Sequence, residues 1–296
     1  IIKWKEKYEA TRSSSDKNMI LGEDFEVIGG KEYFYRVWDP HKEMLKKNAI
    51  QSFHNFSAQG SLSEKSSFIV SLGVSNQEGV MNINTENNQR INLNMGMSTQ
   101  LATWLSGDFK VLSSMQEYKS PFNYYNSGLD TAGNGYFGYY MRWGSYFPYG
   151  TYNGVSFRHA AGYMNNASMN KRSENDTRIN AKLTAQVTKD FNIIGEYSIN
   201  NNFFSNKFNG GQIPLWDWWT SAADLVAGKP TMMESGNDFV AQSKSSFTTN
   251  VANIYANYSK TFNSVHNFKA LGGLNSEWQS FERTYARRNT LLDKNK

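Results

Sequence analysis

Between residues 66 and 119 the apolar side chains fall on every second position for long runs, and that period leaves little choice of backbone. Phe68, Val70, Leu72 and Val74 share one parity, with Ser67, Ser71, Gly73 and Ser75 on the other. Ile91, Leu93, Met95, Met97 and Leu101 then alternate with Asn92, Asn94, Gly96, Ser98 and Gln100. Phe109, Val111 and Met115 follow, with Lys110, Ser114 and Gln116 between them. Successive side chains on a strand point to opposite faces, so a period of two predicts β-structure. Soluble strands usually run about five or six residues, and the stretch over 89–102 is more than twice that, with a second face of Asn, Ser, Gln and Gly. A strand that crosses a bilayer needs about nine to eleven tilted residues, lipid on one face and a polar lumen on the other. This stretch meets that demand.

Composition decides which membrane architectures stay open. The hydrophobic fraction is 39% and the mean hydropathy is -0.63. No apolar run approaches the roughly twenty residues of a membrane helix, so a membrane reading has to be a barrel, whose lipid face hides in alternation. The formal net charge of +5 is diffuse, and without a Lys/Arg block nucleic acid is disfavoured as a partner. The absence of cysteine removes disulfide scaffolds, Cys-zinc sites and thiol nucleophiles together. The chain opens at Ile1 with no Met, charged n-region or h-region and closes on LLDKNK. Both ends read as cuts through a longer protein.

Along the chain, residues 1–50 are charged and irregular. Asp39 ahead of Pro40 and then HKEMLKK predicts one short helix, an N-cap residue followed by proline at the first helical position. From 51 onward the period of two organises a barrel region running to 296. Residues 175–187 alternate Ile179, Ala181, Leu183, Ala185 and Val187 with Arg178, Asn180, Lys182, Thr184 and Gln186. Phe191, Ile193, Tyr197 and Ile199 carry the chain back. A last hairpin places Ala252, Ile254, Ala256 and Tyr258 against Phe268, Ala270, Leu274 and Trp278 across Asn263-Ser264. In PLWDWWTSAADLVAGKP a helical turn closed by Gly228 and stopped by Pro230 is expected. The sum is eight long antiparallel strands in four hairpins. Short turns fall near 63–65, 103–107, 188–190 and 261–265, and longer connections over 77–88, 119–170 and 200–244. Outer-membrane barrels have short periplasmic turns and long extracellular loops, so the longer connections, with residues 1–50 as a first such loop, are expected outside.

Residues 54–81, HNFSAQGSLSEKSSFIVSLGVSNQEGVM, resemble the signature of the SusC/RagA family of TonB-linked outer-membrane transporters. His54-Asn55, Gly60 with Ser63-Glu64-Lys65, Phe68, and Gln77-Glu78-Gly79 stand in the family's order. NNQRINLNMGMSTQLATWL and VTKDFNIIGEYS resemble later strands, and the long loops are not covered. The resemblance implies an all-β, 22-stranded transmembrane antiparallel barrel, of which this chain holds about eight strands. It implies an N-terminal plug and TonB box lying outside this sequence, coupling to TonB, and a SusD-like lipoprotein as an outer lid. It also implies glycan or peptide cargo and the outer membrane of a Gram-negative, Bacteroidetes-like bacterium. The expected role is import, with no enzymatic activity and no cofactor. A small eight-stranded anchor or adhesin barrel and a soluble, aromatic-rich carbohydrate-binding β-protein are the rival readings.

The candidate cargo-binding residues are aromatic. Tyr124, Tyr125, Tyr139, Tyr140, Trp143, Phe147 and Tyr149 in one loop, and Trp216, Trp218 and Trp219 in another, combine apolar area with polar tips suited to sugars or peptide side chains. The alternative is that they pack loop on loop, form the interfacial girdle or contact the lid. Lys110, Arg178, Lys182 and Glu196 fall opposite Val111, Ile179, Leu183 and Tyr197, which predicts that they face the lumen. Asp217, Asp224, Glu234 and Asp238 lack the ordered oxygen spacing of a calcium loop. His41, His54, His159 and His266 are scattered without metal-ligand spacing. No metal is expected, and no nucleophile elbow or partnered carboxylate pair is present.

Overall fold

The computed structural model describes residues 1–12, 15–122, 144–219, 221–233 and 238–290. The fold is all-β. Its body is one eight-stranded antiparallel meander made of β3 (Gln51–Ser63), β4 (Ser66–Glu78), β5 (Asn87–Ala102), β6 (Leu105–Pro121), β9 (Met169–Thr188), β10 (Phe191–Gly210), β13 (Phe239–Phe262) and β14 (His266–Asn289). The strands lie side by side in chain order. Small hairpins occupy the intervening segments: β1 (Phe25–Ile28) with β2 (Lys31–Phe34), β7 (Thr151–Tyr152) with β8 (Val155–Ser156), and β11 (Ile213–Leu215) with β12 (Thr231–Met233). No helix of the described residues is long and apolar enough to cross a membrane.

The register sorts the side chains into two faces. Leu72, Leu93 and Ser113 stand in one cross-strand row, Val70, Met95, Val111, Ile179 and Ile199 in the next, and Phe68, Met97, Phe109, Ala181 and Tyr197 in the one after. Cross-strand neighbours share a face, so these rows form a continuous apolar sheet surface. It is uncovered: Ile91, Met95, Met97, Phe109, Ile179, Leu183, Ile254 and Leu274 are all exposed. On β6, β9 and β10 the apolar run lasts about nine to eleven residues, the length a tilted strand needs to cross hydrocarbon. Beyond it the same face turns polar, with Glu117 beside Ser173 and Lys119 beside Lys171. There Lys171 and Lys119 pair with Glu117 at 2.6 and 3.1 Å.

The strands outlast their apolar pattern. β6 reaches Pro121, β9 begins at Met169, β10 runs to Gly210 and β13 begins at Phe239. The connections are therefore 79–86, 122–168 and 211–238, shorter than the alternation of hydrophobicity suggests. Ladder hydrogen bonds continue through residues such as Asn206 and Lys207 that no hydrophobic period marks. β3 and β14 are the two edges, of 13 and 24 residues, and no described strand joins them into a ring. The described sheet is open, not a self-closed barrel of eight.

The turns follow the expected positions. Asn263 and Ser264 at the β13–β14 reversal have φ of 51° and 58°, the left-handed pair that a tight hairpin requires. Asn tolerates that region and Ser does so at a cost. Ser264→Gly is therefore expected to raise stability by about 1 kcal/mol, read as a higher urea midpoint of the protein in detergent.

The hydrophobic core lies off the sheet. Segments 15–50, 79–86, 144–168 and 211–233 meet in a cap whose buried residues include Met19, Phe25, Trp38, Met44, Met81, Phe157, Tyr163, Ile213 and Leu215. Main-chain bonds stitch the segments: Thr151 N–H to the Lys17 carbonyl, Lys46 to Val80, Trp38 to Ser145, Trp216 to Ser156, and Ala222 to Gly30. The expected helix is present at Pro40–Met44, with the Asp39 carboxylate accepting from the His41 and Lys42 amides. The turn at Ala223–Val226 ends before Gly228, whose φ is 66°. The helix Ile2–Lys7 and the β1–β2 hairpin are not marked by any period in the sequence.

Candidate functional site

The polar face of the sheet is the concave one. A hollow of about 850 Å³ lies against it, its lining including Gln59, Ser67, Ser98, Asp108, Lys110 and Lys182. A second of about 280 Å³ is lined by Asn55, Ser71, Asn92, Asn94, Ser114 and Asp176 among others. Polar groups stand beside apolar side chains in both, Ile69 and Met97 in the first and Phe53 and Leu112 in the second, a mixed lining that can hydrogen-bond water or a polar solute. Lys110, Arg178, Lys182 and Glu196 all stand on this face, opposite the exposed apolar rows. Lys182 sits in register between Asp108 on β6 and Glu196 on β10, and Asp108 also accepts from Ser98 Oγ at 2.6 Å. Glu196 accepts from Tyr255 Oη at 3.4 Å. Opposite charges thus alternate in register across three adjacent strands.

The described aromatic candidates belong to the cap. Tyr149 and Trp216 are 5% and 3% exposed. The Trp216 indole donates to the Tyr152 carbonyl at 2.8 Å, and Tyr149 packs on the His159 ring at 4.9 Å between centroids. Trp218 donates to the Arg158 carbonyl at 2.8 Å and contacts Phe34 and Phe147 edge-on or tilted, at 5.8 and 5.3 Å. These rings hold loop to loop. Trp219, at 62% exposed, packs edge-on against Trp218 at 5.5 Å between centroids. Tyr124, Tyr125, Tyr139, Tyr140 and Trp143 lie outside the described residues.

Of the scattered acids, Asp217 accepts from Arg158 Nη1 at 3.0 Å. Asp224 accepts from the Asp217 amide at 2.7 Å, and Glu234 lies outside the described residues. Among the described residues no group of three or more His, Asp or Glu is placed to hold a metal ion. His159 caps the helix Ala160–Asn166, its Nδ1 accepting from the Gly162 amide at 3.1 Å. Burial holds it down to about 3, so it remains neutral at physiological pH.

Glu32 on β2, absent from the candidates read off the sequence, faces Asp217 and Asp224. Its carboxylate oxygens are shielded from solvent and have no side-chain hydrogen-bond partner among the described residues. Burial, opposed by its own backbone amide and reinforced by the two aspartates, pushes it up to about 7. A carboxyl raised in the folded state favours the packed cap while protonated. That contribution is complete below the unfolded value near 4.5, and it is lost as pH rises through 7. The contact of β2 with segment 211–233 is expected to loosen over that window, read as faster amide exchange of Ala222, whose N–H donates to Gly30. Glu32→Gln is expected to flatten the pH dependence.

No family model matches the chain, and no curated protein matches it. Solved structures do. The RagAB peptide importer in its closed-closed state is similar over 89% of this chain and 32% of its own, at 13% identity and a TM-score of 0.42. The open-open state gives 89%, 32%, 13% and 0.46. A further structure of the RagAB peptide transporter gives 86%, 32%, 13% and 0.43. The chain therefore spans about a third of the length of the structures it matches.

Proposed function

We propose that this chain is part of the wall of an outer-membrane importer. Its apolar face meets lipid, and its concave polar face lines a water-filled path for oligosaccharides or oligopeptides. In this reading uptake is gated, not catalytic. It is driven through TonB by a plug outside this sequence, and it is served by a SusD-like lipoprotein docked over the cap. One observation carries the reading: a broad apolar surface stands uncovered, one cross-strand row after another, on a sheet whose other face is predominantly Asn, Ser, Gln and charged side chains. A water-soluble protein does not leave so large a contiguous apolar patch open, which counts against the soluble carbohydrate-binding alternative. The motif over 54–81 supports the same family assignment.

The absence of cysteine makes the test clean, because each introduced thiol is the only one. Spin labels at Leu183→Cys and Ile254→Cys are expected to be reached by oxygen dissolved in lipid and shielded from a water-soluble nickel chelate. Labels at Asn180→Cys and Ser198→Cys on the other face are expected to reverse that order. Equal access of the chelate to both faces would sink the membrane reading.

A further inference from the structure

The concave face changes character on β14, where Phe281, Arg283, Tyr285 and Arg287 occupy successive positions of one parity. Their register partners Phe247, Ser245, Ser243 and Ala241 continue the row onto β13. Phe204 lies one strand further, opposite Ser245. Phe281, Tyr285 and Phe247 are 63%, 53% and 40% exposed, on a face whose other exposed apolar side chains, such as Phe53, Ile69 and Leu112, have only polar residues or glycine as register partners. Arg287 lies 4.0 Å over the Phe239 ring and donates from Nε to Asn289 at 2.9 Å. The Arg283 guanidinium meets no anion among the described residues. The acids on this face are already engaged, Glu277 on β14 with Gln279 at 3.0 Å, Glu174 with Arg172 at 3.8 Å and Asp176 with Asn202 at 3.4 Å. Arg172 itself stacks at 4.7 Å over Phe204. The result is a ladder of rings and guanidinium groups whose positive charge is not neutralised locally.

We propose that this ladder binds an extended acidic peptide carrying apolar or aromatic residues, a reading that rests on the concave face being a solute path. Side chains of like parity on a strand repeat about every 6.8 Å, and so do those of an extended peptide laid along it. Two carboxylates four residues apart on the ligand therefore meet Arg283 and Arg287 together, each able to take a bidentate pair. The ligand residue between them meets Tyr285, and a ring two residues beyond the Arg283 end meets Phe281 and its cross-strand neighbour Phe247. A basic peptide meets like charge at the same two places.

The probe is a fluorescein-labelled octapeptide, Phe-Ser-Asp-Ser-Phe-Ser-Asp-Ser, whose Phe and Asp share one face when extended, titrated by anisotropy onto the full chain in detergent. Controls are the same peptide with Lys for Asp, and an oligogalacturonide as an acidic glycan of another class. The Asp/Phe peptide is expected to bind, and more weakly as salt rises. Arg283→Gln with Arg287→Gln is expected to weaken it tenfold or more. Arg283→Glu with Arg287→Glu is expected to transfer binding to the Lys/Phe peptide, a gain that misfolding cannot mimic. Equal binding of both peptides, unchanged affinity in the Gln variant, no transfer in the Glu variant, or binding of the oligogalacturonide in place of the peptide each overturns the site. Spin-label accessibility at Leu183→Cys on the same preparation separates the two claims: lipid contact with no peptide binding removes the ladder alone, and peptide binding without lipid contact removes the membrane reading.

Discussion

Arginine in place of Leu183 is expected to destabilise the protein by about 2–4 kcal/mol in a bilayer or micelle, whereas arginine at Ser198 costs within about 0.5 kcal/mol. The two positions lie on adjacent strands and differ only in face. Leu183 pairs with Gly107 and Gly195 in an apolar row that continues to Ile254 and Leu274. No water or counter-charge reaches that row in hydrocarbon. Ser198 pairs with Asn180 and stands among amides, with Glu196 two residues away. The contrast is measured by urea unfolding of both variants in the same detergent, following the shift of a folded band or of far-UV dichroism. Equal costs at both positions would mean that both faces are solvated. Lys182, next to Leu183 in sequence, shows that charge as such is tolerated on this strand when it points to the polar side.

How much of this was legible in the residues depends on which physical signal each part leaves. The long strands announce themselves because one face is apolar and the other polar, and alternation records both at once. Ile179 to Val187 and Phe191 to Ile199 were readable to within a residue or two of their turns for that reason. The outer ends were not, since past Thr177 and Asn201 the alternation breaks down into runs such as Asn206 and Lys207, and the apolar residues there, Phe208 with Phe239, are brought together by cross-strand register and not by local period. The cap was less legible still. Its core draws single residues from four distant segments, such as Met19, Met81, Phe157 and Leu215, and no local period marks a residue whose partner is more than a hundred positions away. The two tryptophans Trp216 and Trp219 look alike in the sequence; only tertiary packing buries one and leaves the other open. Glu32 gives no sequence signal either, because its neighbours Asp217 and Asp224 arrive through the fold.

That difference between the tryptophans supports the second large effect. Trp216→Ala is expected to cost the cap about 3–5 kcal/mol. Removing the indole opens a void where segment 211–233 meets the β7–β8 hairpin. It also strips the Tyr152 carbonyl of its 2.8 Å donor and removes the ring facing Tyr152 at 6.1 Å. Because Phe157 and Trp216 are bridged through their main chains, the loss spreads to Phe157 and, through its edge contacts at 5.3 Å, to Phe25 and Phe34. The eight-stranded sheet buries none of these residues, so its ladder stays intact while the cap frays. Limited proteolysis reads this directly: cuts within 144–168 and 211–233 accelerate sharply in Trp216→Ala, while the strands remain protected. Trp219→Ala, truncating a ring that is 62% exposed, leaves the cleavage rate within about twofold, since surface substitutions usually stay within about 0.5 kcal/mol. A cap equally resistant in both variants would show that Trp216 is not part of its support and would return that ring to the set available for cargo.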